Sequence, residues 1–325
     1  MSTRYRLIEL LADGQFRSGE WLGRQLGISR AAVWKHMRVF SDFGLDIHAV
    51  PGQGYRLFTP FQPLSADLIR SPLSASVSSR LDSLEVLREI DSTSEYLKRT
   101  RSQHKASGFR ACVAERQSSG RGRRGRRWVS PYGTNLYLSL AMQLSKASLR
   151  SGGLSLAAAV AVLRALQDCE IADLGVKWPN DIFYQERKIA GILLDLSGES
   201  SGPFFVVLGI GINLKMPESA AREIDQPWAD LSQCGVKVDR NHLAGTILEA
   251  LVQAIDTFGE KGLEAFIDEW NEFDLLSGRA VELHYDKQPM ITGIARGIDA
   301  NGAILIEKNG VTSRFNAGEV SVRVA

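Results

Sequence analysis

Ala114-Glu-Arg-Gln-Ser-Ser-Gly-Arg-Gly-Arg-Arg-Gly-Arg-Arg-Trp-Val-Ser-Pro-Tyr-Gly-Thr-Asn-Leu-Tyr-Leu-Ser-Leu140 is the stretch on which the reading of this chain turns. Arg121, Arg123, Arg124, Arg126 and Arg127 alternate with Gly120, Gly122 and Gly125 between two apolar segments, so five fixed positive charges ride on a pliable backbone. Arginine forks bidentately onto carboxylate or phosphate, and glycine lets the main chain approach a ligand closely. The segment is therefore read as a mobile flap that folds over an anion, with a solvated tether or a loose nucleic-acid contact as the alternative.

The three glycines also spell G-x-G-x-x-G, but a dinucleotide site needs a helix opening at the third glycine and an acid roughly 20 residues on. Here Gly125 leads into Arg-Arg-Trp-Val-Ser-Pro and then the alternating pattern Asn135 to Leu140. No Gly-Lys-Ser/Thr follows, which excludes a Walker loop.

The flap sits in a chain of 325 residues, 44% hydrophobic, long enough for two or three domains. A formal charge of +2 confines any nucleic-acid binding to local clusters. Cys112, Cys169 and Cys234 form no C-x-x-C, which fits a reducing compartment without structural zinc. The N-terminus lacks an apolar signal core, and the longest apolar run, near Leu154 to Leu163, is too short to span a bilayer. The expected location is cytoplasmic, with no membrane partner.

Upstream, residues 4 to 58 read as a winged helix-turn-helix. Ser18 and Ser29 stand where helix caps belong, Gly27 makes the turn, and Val33, Met37 and Phe40 repeat at helical spacing. The opposite face offers Arg30, Trp34, Lys35 and Arg38 to phosphates and base edges. Trp34 is expected to pack on the neighbouring helix in preference to lying on a sugar-phosphate backbone. Leu45 to Leu57, with Pro51-Gly52-Gln53-Gly54 at its tip, reads as a hairpin wing, and Thr59-Pro-Phe-Gln-Pro63 as a linker.

Beyond the linker, a strand over Leu84–Ile90 precedes Asp91-Ser92-Thr93-Ser94, hydroxyls that either cap the next helix or bind a small polar ligand. Strands are expected over Phe109–Glu115 and Asn135–Met142, and a buried helix over Leu154–Gln167. Two further apolar strands, from Val176 and from Lys188, each carry a lysine at the start. Such a lysine is costly to desolvate without an anion, unless it snorkels to water. Phe204–Gly209 runs into Gly209-Ile-Gly-Ile-Asn213, and Trp228 lies in a polar segment beyond. Helices are expected over Asn241–Phe258 and Gly262–Trp270. From Leu276 the period becomes two, over Val281–Tyr285, Ile291–Ala295, Ala303–Ile306 and Val320–Arg323, with tight-turn signals at Asn301-Gly302 and Asn309-Gly310.

In this order a winged helix, G-R-G-R-R-G, K-W-P-N-D, R-K-I-A-G-I-L, G-I-G-I-N and a small C-terminal barrel strongly resemble the bifunctional biotin protein ligases that are also biotin operon repressors. The resemblance covers nearly the whole chain. It implies an α+β protein: a winged helix at 1–60, a mixed-sheet catalytic domain at 65–271 and an SH3-like β-barrel at 272–325. It also implies ATP-dependent formation of biotinyl-5′-AMP, with ATP and Mg²⁺ as cofactors and biotin as substrate. The biotinyl group then passes to one lysine of the biotin carboxyl carrier protein of acetyl-CoA carboxylase, and the adenylate-loaded homodimer binds operator DNA. Carried over by position, biotin would meet Ser92, Thr93, Ser94, Gln117, Arg121, Gly122, Arg123 and Lys188, with Arg123 and Lys188 in the catalytic role. The nucleotide would meet Arg124, Lys177, Asn180, Asn213 and Trp228, and DNA would meet Ser29, Arg30, Trp34, Lys35 and Arg38. Asp181 either assists the metal or caps a turn. Ser94 departs from the family's usual Ser-Thr-Asn. A lipoate-type ligase and a ligand-sensing transcription factor without ligase activity stand as the alternatives.

Overall fold

The computed structural model describes residues 2–104, 108–145, 153–198, 203–284, 290–318 and 320–325. Helices α1 (Thr3–Leu11), α2 (Gly19–Leu26) and α3 (Arg30–Met37) precede a two-stranded wing, β1 (Ile47–Val50) and β2 (Gly54–Leu57). Ser18 Oγ accepts the Trp21 amide and Ser29 Oγ the Ala32 amide, both at 3.1 Å, which meets two of the donors a helix start leaves open. Gly27 makes the turn between them at φ 67°, a conformation that costs other residues more. The expected third helix stops short of Phe40: Val39 and Phe40 already bond to the carbonyls of His36 and Met37, three residues back. That tighter winding still delivers Phe40 to the core with Leu7, Ile8, Leu22 and Val33.

Trp34 does not pack on the neighbouring helix as expected. It is 53% exposed, with the Arg38 guanidinium 5.0 Å from its ring, because Val33 and Met37 already fill the inner face of α3.

The next elements are α4 (Ala66–Arg70), α5 (Ala75–Arg80), β3 (Leu81–Leu87), α6 (Thr93–Arg99), β4 (Phe109–Ala114), β5 (Leu136–Leu144) and α7 (Leu154–Gln167). They are followed by β6 (Leu174–Lys177), β7 (Asp181–Tyr184), β8 (Arg187–Ser197), β9 (Phe204–Ile212), α8 (Glu218–Ala221), α9 (Arg240–Lys261) and α10 (Glu264–Phe273). The strands form one mixed sheet in the order β3-β4-β5-β9-β8-β7-β6, parallel only between β3 and β4.

Strand alternation divides this sheet between two cores. Leu136, Leu138, Leu140, Val206, Leu208 and Ile210 join the main core with the buried residues of α7 and α9. Cys112, Ala141, Phe205 and Val207 point the other way and pack with Leu97 of α6. The lysine pattern needs one correction. Lys177 closes β6 instead of opening a strand, because Trp178-Pro179-Asn180 turns the chain into β7, and Lys188 is the second residue of β8.

β10 (Ala280–His284), β11 (Ile291–Ile298), β12 (Ile304–Lys308), β13 (Val311–Phe315) and β14 (Ser321–Val324) make a five-stranded antiparallel sheet, ordered β13-β12-β11-β10-β14. Tyr285, the expected end of its first strand, lies outside the described residues. Asn309 and Gly310 both take positive φ in the β12–β13 turn, as their sequence signals. The unit is tied down where Trp178 Nε1 donates to the Gly302 carbonyl at 2.9 Å and the Leu275 amide to the Val176 carbonyl at 3.0 Å.

Candidate active site

On the α6-facing side of the sheet the strands carry no bulk along one line, a trough in the sheet surface into which Ser94 and Trp128 fit. Ser139 of β5 pairs with Gly209 of β9, and Gly211 of β9 pairs with Gly191 of β8. A Cβ on Gly209 would lie 2.6 Å from Ser94 Oγ, and one on Gly211 2.4 Å from the Trp128 ring, so side-chain-free positions are what let these groups reach the sheet.

At one end of the trough stand the hydroxyls that open α6. Ser92 caps the helix while Thr93 and Ser94 turn inward, and all three are buried. Ser139 Oγ lies 2.7 Å from Thr93 Oγ1 and 2.9 Å from Ser94 Oγ. Gln117 Oε1 accepts from the Thr93 amide at 2.9 Å and from its hydroxyl at 3.1 Å, and Gln117 Nε2 donates to Ser130 Oγ at 3.4 Å. Such a set can donate to and accept from one small planar polar group at once.

Over the trough lies the arginine-glycine segment, and it is more regular than its composition leads one to expect. The Gly122 amide donates to the Arg126 carbonyl at 2.7 Å and the Trp128 amide to the Gly120 carbonyl at 2.9 Å, so the segment closes as a tight hairpin. Its arginines diverge. Arg121 pairs with Glu95 at 2.7 Å and Arg127 with Glu223 at 2.6 Å, both on the surface. Arg123 turns inward, donating to Asn180 Oδ1 at 3.4 Å and to the Ala317 carbonyl in the turn after β13. Arg124 holds the positive-φ corner at 56°.

At the other end are the cations of the sheet. Lys188 Nζ is 2.7 Å from Asp181 Oδ2 and 5.5 Å from the centre of the Trp128 ring. Burial pushes the Lys177 ammonium below its ordinary value, and Asp181 opposes that shift while Lys188, Arg279 and Arg323 add to it. Burial likewise lowers the Arg123 guanidinium, again against the pull of Asp181. One carboxylate thus faces several desolvated cations, an arrangement that favours added negative charge. The Lys188 amide donates to the Pro227 carbonyl at 3.1 Å and the Ala229 amide to the Lys188 carbonyl at 2.9 Å, which brings Trp228 alongside. Asn213 Nδ2 donates to the Ala229 carbonyl at 3.2 Å in the same neighbourhood.

Apart from Arg121, on the surface, and Arg124, at the corner of the flap, the sequence-derived residues fall into three places. Ser92, Thr93, Ser94 and Gln117 form the hydroxyl end, with Gly122 in the flap above. Arg123, Lys177, Asn180, Asp181, Lys188, Asn213 and Trp228 gather at the cationic end. Ser29, Arg30, Trp34, Lys35 and Arg38 are all exposed on the N-terminal unit, away from both. Sequence reasoning missed Ser139 and Trp128. A serine set between leucines in β5 is the sequence signal for the first, and the glycines of G-I-G-I-N are the signal for the second.

Residues 86–213 match the biotin/lipoate A/B protein ligase family, residues 3–56 an HTH domain and residues 276–323 the biotin protein ligase C-terminal domain. The chain is 43% identical over 320 residues to the bifunctional ligase/repressor BirA of Salmonella typhimurium, covering 98% of this chain and 97% of that one. The chain belongs to the bifunctional ligase/repressor family. Another member, BirA of Bacillus subtilis, is 31% identical over 320 residues, 97% of each chain. Among solved structures, the biotin protein ligase from Aquifex aeolicus in complex with biotin and ATP is similar at a TM-score of 0.62 and 31% identity, over 75% of this chain and 100% of that one. In this ligase/repressor, no helix among the described residues is long and apolar enough to cross a membrane.

Proposed function

We propose that the trough binds biotin and ATP, joins them as biotinyl-5′-AMP, and passes the biotinyl group to a lysine of a biotin carrier protein. Residues 65–271 carry this chemistry, 272–325 brace the flap, and 1–60 read operator DNA when the adenylate-loaded chain pairs with a second copy. The observation that carries the reading is the polarity of the trough, with a neutral hydroxyl-amide cluster at one end and Lys188, Lys177 and Arg123 at the other. Biotin has the same polarity, a ureido ring at one end and a carboxylate at the other.

The ureido ring meets Thr93, Ser94 and Gln117, with Ser92 holding the helix start. The carboxylate reaches Lys188, and Arg121, Gly122 and Arg123 close over it as the flap. Arg124, Lys177, Asn180, Asn213 and Trp228 receive the nucleotide. A biotin carboxylate oxygen then attacks the α-phosphorus of ATP, the bond to the β-phosphate oxygen breaks, and pyrophosphate leaves. Two anions must approach each other, so ordering and positive charge matter more than a nucleophilic side chain. In the second step the uncharged amine of the acceptor lysine attacks the acyl carbon, an amide forms and AMP departs. Trp128 and the flap hairpin keep water from the mixed anhydride between the steps.

Among the described residues no three His, Cys, Asp or Glu side chains gather to hold a metal. Asp181 is a carboxylate at the cationic end, 2.7 Å from Lys188 Nζ, which fits a Mg²⁺ that would arrive on the nucleotide phosphates. When bound there, Mg²⁺ would neutralise phosphate charge.

The test is intact-mass analysis of a folded biotin carrier domain after incubation with this chain, biotin and MgATP. One biotinyl group per carrier is expected. An unchanged mass leaves a ligand sensor without ligase activity, and a mass gain only with lipoate in place of biotin makes it a lipoate ligase.

A further inference from the structure

Trp34 is unusual among the exposed residues of α3. Arg30, Trp34 and Arg38 follow one another at intervals of four along the outer face, while Val33 and Met37 are buried on the inner one. The indole is 53% exposed, and the guanidinium of Arg38 lies 5.0 Å from its centre, stacked on the ring. From Ser29 to Phe40 the chain carries no acidic residue, so this face is cationic apart from one large apolar plate.

A cationic helix face needs only lysine and arginine to grip phosphates. The indole adds nothing to that grip, since it carries no charge and one donor. What it can do in a major groove is bury apolar surface, and the apolar group that base edges present there is the 5-methyl of thymine. We infer that Trp34 is a specificity-determining residue, its indole covering a thymine methyl while its other face holds Arg38 flat against the groove. This rests on the reading of residues 1–60 as the operator reader. It assigns base recognition to Trp34 and leaves phosphate contact to its neighbours.

The experiment uses the full chain with biotin and MgATP. Preferred duplexes are first selected from a random pool, and each thymine of the selected site is then replaced singly by deoxyuridine, which removes only the methyl group. Wild type, Trp34→Ala and Lys35→Ala are titrated against every duplex, with the melting temperature of each variant as the folding control. One thymine per half-site should weaken wild type about fourfold when its methyl is removed, the effect of one buried methylene-sized group. That loss should vanish in Trp34→Ala and persist in Lys35→Ala. If Trp34→Ala keeps the same sensitivity to every methyl, or weakens all sequences equally, the indole lies on the backbone and the inference is overturned. Failure of the wild type to select any duplex would remove the operator reading itself, and the inference with it.

Discussion

Lys188 Nζ and Asp181 Oδ2 stand 2.7 Å apart beneath the Trp128 ring, and in the proposed complex this pair sets the charge that the biotin carboxylate meets. The pair is only partly open to solvent, so neither charge is well hydrated and each depends on the other. A ligand carboxylate at Lys188 would share the ammonium with Asp181. Lys188→Ala should lower kcat/KM for biotin-dependent pyrophosphate exchange by about 10²- to 10³-fold, the range seen when one pre-placed stabilising donor is removed. A loss under threefold would take Lys188 out of the reacting end.

Gly209 tests the hydroxyl cluster from the sheet side. A methyl group there would press on Ser94 Oγ and disturb the bonds from Ser139 to both Ser94 and Thr93. Gly209→Ala should raise KM for biotin more than tenfold and change KM for ATP little, with a stability cost of about 1–3 kcal/mol for the overpacking. Steady-state kinetics with each substrate varied in turn gives the comparison. Equal rises in both constants would point to general distortion of the sheet.

Asp274 predicts a pH dependence. Burial pushes its carboxyl up from 3.8 to about 6, against the pull of its hydrogen bond from the Leu276 amide at 2.9 Å. The folded value lies above the unfolded one, so between these pH values the native chain binds more protons than the unfolded chain. The stabilisation from the protonated form is complete below about pH 4 and is lost as pH rises through 6. Asp274→Asn resembles the protonated acid and should stabilise the protein at pH 7.5 by about 1–2 kcal/mol. That advantage should be gone at pH 4, as denaturant unfolding at the two pH values would reveal.

Lys35 separates grip from reading on the DNA. It is exposed on α3 beside Trp34 and meets phosphate in the proposed complex. Lys35→Ala should weaken all duplexes similarly and reduce the slope of log affinity against log salt by about 0.9, one released counterion. An unchanged slope would mean that Lys35 touches no phosphate.

Much of this architecture could be read from residue patterns, where local chemistry and the fold agree. The caps at Ser18 and Ser29, the Asn309-Gly310 turn and the alternation in β5 and β9 each follow from a short-range rule. What stayed hidden depended on partners distant in sequence. The hydroxyls of Thr93 and Ser94 read equally well as caps or ligands until Ser139 and Gln117 came to lie against them. The flap looked shapeless because its order comes from backbone bonds across the turn, which composition does not report. Lys177 closes its strand where the pattern has it open one, because the turn at Trp178-Pro179 interrupts what reads as one apolar run.

Tyr132 leaves the flap on the catalytic side, yet it is buried in the N-terminal core against Tyr5, Phe43 and Phe61. Arg116, next to Gln117, reaches Glu89 and the Asp42 carbonyl, while Tyr5 donates to Glu89 at 2.6 Å. Both stems of the lid are thus rooted in the DNA reader. A truncation at the linker would leave an aromatic patch bare and strip side chains beside Gln117 of their counterparts, so the two halves share masonry that a cut there would not divide cleanly.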